Sequence, residues 1–127
     1  MNMETFIESA LGEEVSGTIE EYYLDDYETF KFSFAKLGVT REIYEELKKD
    51  DNWALYDYTS EWNRYYPGWQ KKLTEEYKKI QNEESNPLEA EVDFLESDAF
   101  NNISTIIAAG VLTDGIKDIK NKKRMPA

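Results

Sequence analysis

Apolar residues recur three or four positions apart along most of this chain, and that spacing constrains its fold more than any other feature. Ile19, Tyr23, Tyr27, Phe30, Phe34 and Leu37 follow it, with no Gly or Pro until Gly38. Thr18 with Glu21 three residues on has the form of a capping box, so one helix is predicted from Thr18 to Leu37, closed by Gly38 in a left-handed conformation. Phe30, Phe34 and Leu37 then share a buried stripe and Phe32 points away from it. Thr40 can cap the next helix, with Val39 stapling onto Tyr44, which completes a helical hairpin to about Lys49.

Asn86-Pro87-Leu88-Glu89 is a second helix start, with Asn as cap, Pro at the first position and Glu at the third. Leu88, Val92, Leu95, Ala99, Ile103, Ile106 and Gly110 continue it at helical spacing, although Ser97-Asp98 can cap a fresh helix midway. Between these two regions, Leu55, Tyr58, Trp62, Tyr65, Trp69, Leu73, Tyr77 and Ile80 keep helical spacing across Pro67-Gly68, as two helices or one kinked helix. The predicted class is mostly α, a compact bundle of about five to six helices. Alternation at Phe30, Phe32 and Phe34, and again at Leu88, Ala90, Val92 and Phe94, leaves a second option, an α+β fold with a small antiparallel sheet. Length, 127 residues, is that of one domain covering 1–127. Gln81 to Asn86 is the best candidate for a mobile joint.

Charge is distributed unevenly. From Met1 to Phe30 there are nine carboxylates and no Lys or Arg, so most of the net charge of -12 sits in the first quarter. Pro87 to Phe100 has five acidic residues and no basic one. The end reverses sign, with Lys117, Lys120, Lys122, Lys123 and Arg124 read as a short basic tail from about 117 that complements a helix end and then frays. Such a surface repels nucleic acid and membranes and steers basic partners toward itself.

Several chemistries are disfavoured. With no Cys and no His, the chain has no thiol nucleophile, no thiolate or imidazole metal ligand and no histidine general base. The acidic N-terminus has no basic n-region or apolar h-region, which makes a cytoplasmic product the default expectation. Ile103 to Leu112 is an apolar run of half the length that spans a bilayer, and reads as core. Seven adjacent carboxylate pairs occur, but neighbours on a helix diverge by about 100° and form no shared-proton dyad. Glu21 and Asp25 are four apart, yet helix-borne dimetal sites add a His that this chain lacks. Asp50-Asp51-Asn52 imitates the start of a calcium loop without the Gly at its sixth position, where Leu55 stands. No catalytic, cofactor-binding or metal residue is therefore assigned.

Two motifs point to partners. Ala35 to Glu42 superficially resembles the turn of a helix-turn-helix, but Phe34 and Ser33 depart from it and the following helix carries Glu42, Glu45, Glu46, Asp50 and Asp51, which oppose phosphate. The aromatic stretch from Trp53 to Trp69 has too few cations beside it for single-stranded nucleic acid and suits core packing plus a protein-recognition patch. The expected partner-binding residues are Glu13, Glu14, Glu20, Glu21, Asp25, Asp26, Glu28, Trp62 and Tyr66. In size and acidity, though in no motif, the chain is similar to phage DNA-mimic inhibitors, and these features also suit immunity proteins that block basic nuclease toxins. The expected function is a non-enzymatic inhibitor of a basic, nucleic-acid-handling protein, with no direct contact to nucleic acid or membrane. The alternative is a subunit of a homo-oligomeric or phage-type assembly that self-associates through its acidic start and basic end.

Overall fold

Ile7, Leu11, Val15 and Ile19 lie four apart and are all buried, which is what holds the first helix against the rest of the molecule. The structure is a computed structural model that describes residues 2–49 and 59–124. Asn2 caps this helix, α1 (Met3–Thr18), by accepting from the Thr5 N–H at 2.7 Å. The helix does not end at Thr18. It widens into a π turn over Ile19–Tyr23, in which the Leu24 N–H reaches back five residues to the Ile19 carbonyl at 2.9 Å. The wider turn lets adjacent residues Tyr23 and Leu24 both enter the core while Glu20, Glu21 and Tyr22 stay outside.

The predicted helix from Thr18 to Leu37 is therefore corrected at both its start and its middle. Thr18 has helical dihedrals and makes no side-chain cap bond, because the helix has already been running for four turns. The chain breaks at Leu24 to Asp26, where Asp26 starts α2 (Tyr27–Ser33). Its carboxylate accepts from the Thr29 N–H at 2.8 Å and the Thr29 hydroxyl at 2.9 Å. These bonds favour the charged form and hold the Asp26 carboxyl below its ordinary range. A depressed native pKa stabilises the fold above the unfolded value and loses that contribution as pH falls through the native one. The thermal midpoint of Asp26→Ala is thus expected to lie below the parent's at neutral pH, with the gap closing on acidification. A gap independent of pH in thermal melts would contradict this role.

A 3-10 turn over Ala35–Leu37 follows, and Gly38 closes it at φ 64°, in the left-handed region as expected. Phe30 and Phe34 are buried, Leu37 is half-buried and Phe32 is 86% exposed. Helix α3 (Arg41–Lys49) is capped by the Thr40 hydroxyl, which accepts from the Ile43 N–H at 3.3 Å. It is pinned to the break after the π turn by Tyr44, whose buried hydroxyl donates to the Leu24 carbonyl at 3.0 Å. Tyr23, Tyr27, Phe30, Phe34 and Tyr44 form one aromatic cluster there.

After α4 (Thr59–Tyr65) the chain turns through Gly68 at φ 78° into α5 (Trp69–Glu83), giving two helices rather than one kinked one. Trp62 and Trp69 meet edge to face across this turn with centroids 5.1 Å apart. Both indoles are buried, and neither N–H finds an acceptor among the described residues. The joint after α5 is shorter than predicted, because the helix continues to Glu83. Asn86 caps α6 (Pro87–Leu95) by accepting from the Leu88 and Glu89 N–H groups. Ser97 caps α7 (Asp98–Arg124), its hydroxyl accepting from the Phe100 N–H at 3.3 Å.

Helix α7 is the central element and packs against α1, α3, α4, α5 and α6. Ile103, Ile107, Ala108, Val111, Leu112 and Ile116 are all buried, and the expected apolar core run is confirmed. Its basic segment forms the last turns of this helix. Lys120 donates to the Leu37 carbonyl and so joins those turns to the region around Gly38. Phe6, Tyr77, Phe94 and Phe100 make a second aromatic cluster where α1, α5, α6 and α7 meet, with Tyr77 and Phe94 stacked at 4.8 Å. Seven α-helices and no strand occur among the described residues, so the bundle is all-helical and the alternative sheet is not supported.

Candidate interaction surfaces

Seven of the expected partner-binding residues are carboxylates, and all seven are exposed. Glu13 and Glu14 lie on α1, Glu20 and Glu21 on the π turn, Asp25 and Asp26 at the break and Glu28 in the first turn of α2. Two helical turns separate Glu13 from Glu20 and Glu14 from Glu21, so each pair is stacked about 10 Å apart along the axis. Glu13 lies nearly opposite Leu11 and Val15, whose burial orients the helix and so turns this carboxylate outward. Asp26 and Glu28 also complement the N-terminal end of α2, where negative charge is favoured. Among the described residues no Lys or Arg pairs with any of the seven.

The two aromatic members of the expected set behave differently. Trp62 is buried, 4% exposed, and is corrected from a partner-binding residue to a core residue. The turn at Gly68 folds its ring onto Trp69, which a linear reading of aromatic spacing cannot register. Tyr66 is half-buried, and its hydroxyl accepts from the Lys72 ammonium at 3.1 Å. It thus sits beside a cation rather than beside the acidic row. Trp53 to Tyr58, and the Asp50 to Asn52 motif, lie outside the described residues.

A polar cluster joins α4 to α7. Arg64 pairs with Glu61 at 2.7 Å and with Asp114 at 2.5 Å, and the Tyr65 hydroxyl also donates to Asp114. Burial, then the Asp114 carboxylate, pushes the Tyr65 phenol well above its ordinary range, so it stays a neutral donor. These groups bond one another across the two helices, which makes the cluster a fastener between them.

A second acidic region was missed in the sequence because two segments build it. A cleft of about 570 Å³ lies between the end of α5 and the junction of α6 with α7. Glu76, Glu83, Glu84, Asp93, Glu96 and Asp98 line it, with Ile80, Ser97 and Ala99. Beside it, α6 leaves Leu88, Val92 and Leu95 exposed at 71%, 47% and 39%. Their helical spacing alone would equally suit an inward face. Instead Ala90 and Phe94 are buried, because Phe94 completes the aromatic cluster with Phe6, Tyr77 and Phe100.

No group of three or more carboxylates among the described residues is arranged to hold a metal ion, and no helix among them is long and apolar enough to cross a membrane. No known protein family, curated protein or solved structure matches the chain.

Proposed function

We propose that this protein is a non-enzymatic interaction module of the cytoplasm that presents its N-terminal carboxylates to a basic, nucleic-acid-handling protein and inhibits it by occupying the path of the nucleic acid. The observation that carries this reading is the exposure of Glu13, Glu14, Glu20, Glu21, Asp25, Asp26 and Glu28 with no ion pair to a Lys or Arg among the described residues, on elements fixed by a packed core. A fixed array of charge attracts a complementary surface without a further ordering cost, which favours rapid and selective docking. The assembly alternative depends on the basic end of the chain, and there Lys120 is engaged by the protein's own Leu37 carbonyl.

Binding to a partner isolated from the native host should weaken steeply as salt rises, since exposed charges are screened over about 8–10 Å at physiological ionic strength. Replacing Glu20 and Glu21 by Gln and Asp25 by Asn should reduce both affinity and its salt dependence. Titration calorimetry at low and high salt checks this, and an affinity indifferent to salt would rule the mechanism out.

A further inference from the structure

We infer that the outer face of α6 is a second docking site, for a basic amphipathic helix of a partner protein. The site does not depend on the N-terminal carboxylates. Leu88, Val92 and Leu95 are spaced by four and three residues, so their side chains form one ridge along the helix. At about 100° per residue, Glu89, Asp93 and Glu96 form the adjacent row, between that ridge and the flank that packs inward through Ala90 and Phe94. Asp93 and Glu96 open directly into the carboxylate-lined cleft. The surface thus offers an apolar strip with a continuous negative margin.

Charge decides what covers it. From Ile80 to Ile116 the chain contains no Lys or Arg, so nothing in this segment offsets the acidic margin. A second copy meeting ridge to ridge and antiparallel would bring Glu89, Asp93 and Glu96 against their own like-charged row, and a parallel copy would bring them against the flank that carries Glu91, so neither supplies a cation. The chain's own basic helix end is engaged elsewhere, with Ile116 buried and Ile119 packed against the core. A helix with an apolar face and Lys or Arg along one edge satisfies both parts of the surface at once.

The test uses the full chain and a synthetic helical peptide with leucines on one face and lysines on the other, with a scrambled peptide of the same composition as control. Fluorescence anisotropy should show the patterned peptide binding at least about tenfold more tightly than the scrambled one, because only the former aligns both contacts. Leu88→Gln, Val92→Gln and Leu95→Gln combined change exposed positions to a good helix former and should weaken binding roughly a hundredfold, with the circular dichroism spectrum unchanged. Glu20→Gln, Glu21→Gln and Asp25→Asn combined should leave it within about twofold, which separates this site from the N-terminal surface. Equal binding of both peptides, or unchanged binding by the ridge variant, would overturn the inference. So would a full-length dimer that the ridge substitutions dissociate, since the occupant would then be a second copy.

Discussion

Replacing Phe30 by Ala is expected to destabilise the protein by about 3–5 kcal/mol, while the same change at Phe32 leaves stability within about 0.5 kcal/mol. Phe30 is fully buried and its ring contacts both Phe34 and Tyr44 at centroid distances near 5.5 Å. Its removal would leave a cavity at the point where α2 meets α3, and the Tyr44 hydroxyl held by Leu24 restricts how far the site can collapse. Phe32, 86% exposed, has little burial to lose. Urea unfolding of the two variants gives the comparison. Similar losses at both positions would mean that the helical stripe through Phe30 and Phe34 is wrongly placed.

Gly110→Ala is expected to cost about 1–3 kcal/mol, although the same change inside an ordinary exposed helix stabilises by up to about 1 kcal/mol. A Cβ built at Gly110 would lie 2.7 Å from Cγ and 2.9 Å from Cε1 of Tyr65, with Cδ1 nearer still. Those atoms lie at the base and side of a ring whose hydroxyl is anchored on Asp114, so the ring has little freedom to retreat. The missing Cβ is therefore what allows α4 to approach α7. Combining Gly110→Ala with Tyr65→Leu should recover part of the loss, and a double-mutant cycle measures the coupling. A single Gly110→Ala variant more stable than the parent would show that the approach is not tight.

What could be read in the sequence was mostly local chemistry. Thr40, Asn86 and Ser97 cap helices as their side chains suggested, and Gly38 adopts the left-handed conformation, because each interaction is decided within about four residues. The break at Asp26 was concealed by apolar spacing that runs straight through it, even though Asp26 and Thr29 have a capping separation. The π turn has no local signature, since it exists to bury Tyr23 and Leu24 together against elements far along the chain. For α6, either Leu88–Val92–Leu95 or Ala90–Phe94 can supply an inward face. The choice falls to Phe94 because Phe6 and Tyr77, from α1 and α5, are waiting there.

The candidate surfaces divide in the same way. Exposure of the N-terminal carboxylates follows from charge alone, since burying an unpaired carboxylate is expensive. The acidic cleft and its apolar ridge require knowledge of which helices are neighbours, and Trp62 was misassigned for the same reason.

The Trp62–Trp69 contact also makes the junction of α4 and α5 optically distinct. Two indoles at 5.1 Å in an edge-to-face arrangement are close enough to couple their electronic transitions, so a paired indole band in circular dichroism is expected to report on that junction. Helical ellipticity averages over every helix and barely registers the separation of α4 from α5. The exciton band depends on a single relative orientation of rings, and it vanishes when α4 swings away from α5 even if every helix persists. The molecule thereby distinguishes loss of packing from loss of backbone structure without any attached label.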